Sequence, residues 1–284
     1  MLGILFAALS ALTSGCESIL HRYVLVKEDS IGYAFVWHCL TALLFLPLFL
    51  IEFKLPTEQT AWLFVIASSV FWACASFAGF KAYSQMEVSS KSLIGRTKVL
   101  FSFLLALLFL RETISAEKIL GVVLIFAGLI LLTYKKSIGF SDLKSKGVSL
   151  TILSAFFVSC ALIIDKFATQ FFPLGMYSFI VYALPVVFLV PFALQRKADV
   201  KSIVKNKFAA TLGTVILGAA SYYFILNAFK FAEASVVIPI AELSMLVTVA
   251  GGALVLREKV DAKKIIAAVV VIAGAVLLSG VFRF

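Results

Sequence analysis

Apolar residues run through this chain in blocks of similar length, separated by short polar connections. A helix rises 1.5 Å per residue, so about 20 residues cross a hydrocarbon layer of about 30 Å. Runs of that kind fall at 3–25, 31–51, 60–83, 88–110 and 116–134, and again at 147–168, 174–194, 208–230, 235–256 and 263–281. Where water is absent each run must satisfy its own backbone polar groups, which predicts helices throughout. The longest connections, KKSIGFSDLKSK (135–146) and QRKADVKSIVKNK (195–207), are too short for a soluble domain. The expected fold is an all-α integral membrane protein with ten transmembrane helices.

The second set of blocks repeats the first. LRETISAEKILGVVLIFAGLILL (110–132) aligns without gaps on LREKVDAKKIIAAVVVIAGAVLL (256–278), with 11 of 23 positions identical. The identities include Arg111/Arg257, Glu112/Glu258 and Gly128/Gly274. SGCESILHRY faces FVSCALIIDKF, pairing Cys16 with Cys160, His21 with Asp165 and Arg22 with Lys166. The domains expected are therefore two five-helix repeats, 1–134 and 147–284, joined by the linker 135–146. An odd number of spans per repeat makes the second copy cross in the opposite sense. Inverted repeats of this kind are a signature of secondary transporters, whose sites lie near midplane between the copies.

The doubled LRE and AG anchors, with a basic residue late in the first helix of each half (Arg22, Lys166), resemble the drug/metabolite transporter superfamily, specifically its ten-helix EamA-type members. The resemblance covers both halves and implies a metabolite exporter or exchanger working by alternating access. Members commonly carry a proline early in the fourth and ninth helices. Here the fourth has none and the ninth has Pro239.

Composition agrees with the block pattern. The chain is 62% hydrophobic and 14% charged, with mean hydropathy +1.09. A soluble domain is about half apolar and about a quarter charged. The net charge of +10 sits mostly in the connections, where membrane proteins keep lysine and arginine, so no nucleic-acid partner is expected. Cys16, Cys39, Cys74 and Cys160 lie within apolar runs without CxxC spacing and read as small packing residues. No HExxH, Gly-rich phosphate loop or GxSxG is present, and the chain has two histidines, so neither an enzyme nor a metal or cofactor site is expected.

Polar residues inside the spans are the candidate chemistry, because a charge at helix centre costs about 2.5–3.5 kcal/mol on insertion scales and normally faces protein or water. Ser10, Ser14, Glu17 and His21 form one stripe on the first helix, with Glu17 and His21 a turn apart. Glu17 is a candidate proton-coupling acid. Lys91, Gly95, Lys98 and Ser102 form a stripe on the fourth helix, matched by Val237, Ala241, Ser244 and Thr248 on the ninth. Arg96 lies about 200° around the helix from Lys98, and its repeat partner is Glu242. Lys98 is expected in the transport path, with Arg96 and Glu242 as counter-charges or gate elements, although a direct bridge between those two would have to span about 10 Å along the normal. Lys81 and Asn227 match in the repeat, and Trp72, Tyr222 and Tyr223 sit mid-span where they could wall a pocket. Trp37 and His38 read as packing, and the Arg111–Glu112 and Arg257–Glu258 pairs as architectural. The substrate-binding set expected is Lys98, Ser102, Ser244, Asn227, Lys81, Trp72, Tyr222 and Tyr223. The coupling or gating set is Glu17, His21, Arg96 and Glu242.

These residues point to a cell-membrane, multi-pass secondary transporter of a small polar metabolite, amino-acid-like or otherwise carboxylate-bearing, with proton coupling as an option. The partners expected are the solute and the lipid bilayer, with the chain a monomer or homodimer. One alternative is export of cationic amphiphilic drugs, with Glu17 and Glu242 as the recognising acids. Another, from a different class, is a non-transporting lipid-handling or assembly subunit. The excess of connection lysines on the side away from the two ends of the chain places those ends outside the cell, whereas the family resemblance places them inside. Orientation stays open.

Overall fold

The computed structural model describes residues 1–25, 28–83, 94–95, 97–112, 115–133, 146–247, 250 and 262–278. The apolar blocks are helical: α1 (Leu2–Leu25), α2 (Ser30–Ile51), α3 (Ala61–Tyr83), α4 (Thr97–Phe109) and α5 (Ala116–Thr133) come first. They are followed by α6 (Lys146–Ala168), α7 (Leu174–Gln195), α8 (Lys197–Asn206), α9 (Phe208–Phe231), α10 (Ala234–Ala241) and α11 (Ala262–Leu278). Among the described residues there is no strand. Helices α1, α2, α3, α6, α7 and α9 are long and apolar enough to cross a bilayer. Large apolar side chains such as Leu43, Leu63, Leu108 and Val187 point outward, an arrangement suited to lipid rather than water.

The helix pairings are symmetric between the halves. α3 packs along α6 and α1 along α9, which exchange with each other when the halves are swapped. α2 with α7 and α5 with α11 map onto themselves, and the α4–α6 and α3–α7 pairings have their counterparts in α1–α10 and α2–α9. The α5–α11 crossing is close because Gly128 and Gly274 face the partner helix. A Cβ on Gly128 would lie 2.5 Å from Val271 Cγ2 and 3.0 Å from the Ala267 carbonyl, and one on Gly274 2.7 Å from the Gly121 carbonyl.

Helix ends define two faces of the molecule. On the proximal face α1 and α7 begin and α2 ends; on the distal face α1 and α7 end and α2 begins. Asp29 caps α2, its carboxylate accepting from the Ile31 and Gly32 N–H groups at 3.0 and 2.7 Å. The equivalent cap position of α7 is Pro173, which has no such side chain, and Glu52 reaches across to accept from Gly175 N at 2.7 Å.

Two elements differ from the sequence expectation. The polar connection 195–207 contains α8, whose Ile203 is buried beneath Val24, Tyr33 and Val36 while Lys197, Lys201 and Lys205 stay exposed. Its apolar residues Val200, Ile203 and Val204 have helical spacing, but the segment is too short and too basic to span. The ninth block, expected as one helix over 235–256, is broken. α10 contains Pro239, α10 ends at Ala241, and Glu242 and Leu243 form a turn before the helix resumes at Ser244. In the fourth block, residues 88–93 and Arg96 lie outside the described residues, as do Thr248, Arg257 and Glu258.

The close α5–α11 crossing generates a test. Gly128→Val should cost about 1–3 kcal/mol through overpacking, read as a lower thermal midpoint of the detergent-purified protein. An unchanged midpoint would mean that the two helices do not approach as described.

Candidate functional site

The most polar buried position is Asp165, one turn from the end of α6 and wholly buried. Its neighbour Lys166 turns the other way, donating to the Phe229 carbonyl and, at 2.7 Å, to the Ala232 carbonyl at the end of α9. A cation there meets the negative end of the helix dipole. The Asp165 carboxylate faces α3, α7 and α9. Ser68 Oγ and the Tyr177 hydroxyl donate to Oδ1, the latter at 2.5 Å, and Trp72 Nε1 and the Tyr222 hydroxyl donate to Oδ2 at 3.1 and 3.0 Å. Hydrogen bonds to an ionised acceptor are about twice as strong as neutral ones, which is what holds a carboxylate here.

The first half contains the counterpart. His21 and Tyr33 correspond to Asp165 and Tyr177 through an offset of 144, and Thr214 corresponds to Ser68 through an offset of 146. The Tyr33 hydroxyl lies 2.7 Å from His21 Nδ1 and 2.8 Å from Thr214 Oγ1, and His21 Nε2 lies 2.8 Å from Glu17 Oε1. Glu17 fits because its neighbour on α9 is Gly218: a Cβ there would collide with the Glu17 carboxylate and the Trp37 ring. The predicted stripe on α1 thus faces α9, with Ser10 Oγ 3.0 Å from Ser221 Oγ.

Between the two clusters lies a cavity of about 180 Å³, lined by Trp37, His38, Trp72, Ser76, Val181 and Tyr182. His38 Nε2 meets Ser76 Oγ at 3.2 Å, whereas His38 Nδ1 and Trp37 Nε1 are buried without a hydrogen-bond partner among the described residues. Trp37 and His38 are therefore cavity walls and not the packing residues expected. The ring of Tyr182 touches Trp37 and Tyr222, at centroid distances of 5.5 and 5.2 Å, and so connects the two clusters across the cavity. Further out is a distal vestibule of about 560 Å³ bordered by Leu25, Glu28, Lys81, Phe192, Gln195 and Arg196.

On the proximal face, contacts tie helix ends of the two halves together. Glu112 accepts from Ala234 N at 2.6 Å and Ser235 N at 2.9 Å, capping the start of α10. Arg111, at φ 52°, takes the left-handed backbone that turns Glu112 toward that helix. Lys118 pairs with Glu233 beside it.

The other residues expected at the site are scattered. Lys98 Nζ pairs with Glu242 Oε1 at 2.6 Å, so the cation expected in the path meets the acid expected as a counter-charge or gate element. Arg96 lies outside the described residues, as does the Arg22 side chain. Ser102 donates to Ser159 Oγ at 3.0 Å and fixes α4 to α6, and the Ser244 carbonyl packs against Gly15. Asn227 donates to the Tyr223 carbonyl at 2.8 Å, and Tyr223 packs its ring on Phe45. Lys81 lies in the vestibule wall, 5.7 Å from the Phe77 ring. Trp72, Tyr222, Glu17 and His21 do belong to the central assembly. Asp165, Ser68, Tyr177, Tyr33, Thr214 and Tyr182 were missed. The alignment of His21 with Asp165 is the signal that identifies them, because it sets two polar residues at one depth in both copies.

A helical membrane protein with paired halves around a central cavity and a vestibule on one face has the form of a membrane transporter. The EamA-like transporter family model matches residues 1–134 and 145–280. The chain belongs to that family and is a multi-pass membrane transporter of the drug/metabolite type. A crystal structure with 12% sequence identity superposes at a TM-score of 0.76, covering 97% of this chain and 95% of that one, which shows a shared fold. No curated protein matches the chain.

The Lys98–Glu242 pair can be tested directly. Lys98→Ala leaves the buried Glu242 carboxylate with less compensation, and a double-mutant cycle with Glu242→Ala should return a coupling of about 0.5–3 kcal/mol in unfolding stability. A coupling of zero would return Lys98 to the set of unpaired path residues.

Proposed function

We propose that the chain is an alternating-access secondary transporter of ten transmembrane helices, arranged as inverted repeats over 1–134 and 147–284, and that it exports or exchanges a small polar metabolite across the cell membrane. The observation that carries the solute site is the cavity between the halves, with the buried Trp37 Nε1 and His38 Nδ1 unpartnered beside it. Unmet buried polar atoms are costly, and a bound solute that pairs with them recovers that cost. Exchange of the repeats supports the switch. The symmetric pairings make the two faces equivalent in design, and the vestibule described lies on the distal one. The Lys118–Glu233 pair has the same residue types at the repeat positions, Lys264 and Glu87.

Cavity size and lining narrow the solute. Drug-sized ligands take pockets of about 300–1,000 Å³, so a cavity of about 180 Å³ suits an amino-acid-sized metabolite better than a bulky cationic amphiphile. Three aromatic rings in its wall favour a flat or ring-bearing solute. The acids Glu17 and Asp165 on either side favour one with an amine. Lys98, the residue behind the expected carboxylate preference, is paired with Glu242 and is not in the lining of this cavity.

A thermal-shift screen of the detergent-purified protein against amino acids, amines and organic acids tests the site, since a ligand that binds only the folded state raises its stability. A saturable shift from an amine-bearing small solute is expected, with affinity falling about tenfold or more, or about 1.4 kcal/mol, in His38→Ala and in Trp37→Phe. A shift that survives both substitutions unchanged would move the solute site elsewhere.

A further inference from the structure

We propose that Asp165 is a proton-binding site, and that its protonation is linked to withdrawal of α3 from α6, α7 and α9. The proton binding stands on the geometry of the cluster; its use in transport rests on the function proposed above.

All four groups on the carboxylate are donors: Ser68 and Trp72 from α3, Tyr177 from α7 and Tyr222 from α9. A carboxylate accepts on both oxygens, while the neutral acid gives up part of that capacity to its own O–H. The cluster as built therefore holds the ionised form. Among the described residues no cation pairs with it. Lys166 on the same helix is engaged with the end of α9, and Lys98 on α4 is paired with Glu242. Tyr182 of α7 lies behind Tyr222, and Glu17 and His21 of α1 lie beyond Trp37. The negative charge at membrane depth thus depends on neutral donors alone.

Those donors come from both halves of the chain. Ser68 and Trp72 belong to the first half, whereas Asp165, Tyr177 and Tyr222 belong to the second. Any motion that opens the proximal face between α3 and α6 removes two of the four donors and leaves the charge poorly solvated, which favours the neutral acid. Linkage makes the effect reciprocal. A proton on Asp165 removes the charge that strengthens all four bonds and takes acceptor capacity away from Trp72 Nε1, which can only donate; this loosens the contact with α3 and favours opening. The proton is taken from water at the proximal face, forming an O–H bond at one carboxylate oxygen. When α3 returns, that bond breaks and the proton leaves to water in the cavity on the far side of Trp72.

The mirror cluster is built on the same plan with different chemistry. The Tyr33 hydroxyl lies against His21 Nδ1 and Thr214 Oγ1, and His21 Nε2 lies against Glu17 Oε1. The repeat position of Asp165 is thus occupied by a side chain that can carry a positive charge but not a negative one.

The test uses the full chain in proteoliposomes without added solute. Infrared difference spectra on acidification should show a protonated-carboxyl C=O band that is absent in Asp165→Asn and retained in Glu17→Gln. Hydrogen–deuterium exchange of the α3 and α6 peptides, corrected for the chemical exchange rate, should rise at least about twofold over the same step. It should already be high, and insensitive to acid, in Asp165→Asn. Ser68→Ala, which keeps the carboxyl and removes one first-half donor, should raise exchange at α3 and guards against a fold defect in the asparagine variant. A band unaffected by Asp165→Asn, or exchange that does not respond to acid in the wild type, overturns the proposal. Neither readout needs transport: a protein that shows both but moves no solute keeps this site and loses the transporter reading.

Discussion

A carboxylate at membrane depth must find its solvation in the protein, and Asp165 finds it by drawing Ser68, Trp72, Tyr177 and Tyr222 onto its two oxygens. That requirement fixes more than one side chain. It holds α3 against α6 at the proximal end and orients the start of α7 through Tyr177. It also sets the Tyr222 ring against Tyr182, which in turn touches the aromatic wall of the cavity. The neighbouring contacts follow the same logic of satisfying polar groups where water is scarce. Glu112 meets the open N–H groups of α10, Glu52 those of α7, and Lys166 the open carbonyls of α9.

The two faces show how a symmetric sequence supports an asymmetric state. At the proximal face α7 has Pro173 at its cap position and borrows Glu52 from α2, so the cap is also a clasp between the halves. At the distal face α2 is capped by its own Asp29, and Arg196, the repeat counterpart of Glu52, approaches that carboxylate at 3.4 Å. The distal ion pair is partly exposed beside the vestibule and is worth little in stability. The proximal contacts combine a buried carboxylate with capped helix ends, and these tie the halves together more firmly than the exposed distal pair.

Helix positions are legible in the sequence because the bilayer imposes one length on every span and tolerates no unpaired backbone. The repeat is legible because LRE and AG recur at a single offset. The break after Ala241 is not, since Pro239 alone is compatible with a kinked but continuous helix, and whether the chain turns depends on what Glu242 meets. α8 is hidden because a ten-residue amphipathic helix has the composition of a polar connection. Within the site, charge is a poor guide. Lys98 draws notice as a cation inside an apolar run, yet pairing with Glu242 absorbs it. Asp165 escapes notice because it lies near a helix end beside Lys166, where charges are usually wet.

Depth along a helix is therefore less informative than which neighbours a residue has across the repeat axis. His21 and Asp165 occupy the same place in the two copies with different chemistry, one able to carry a positive charge and the other a negative one. Each is met by the tyrosine twelve residues further on; the hydroxyl from the third helix of the opposite half meets Asp165 directly in one copy and the tyrosine in the other. The tyrosine and hydroxyl partners recur while the titratable group does not, so the two copies build one cradle around different chemistry. In two strictly identical halves both cradles would hold the same group, and the two faces would be chemically alike. Unlike occupants make them different: one cradle is built around a carboxylate and the other around an imidazole, so the two ends of a symmetric helix arrangement do not respond alike.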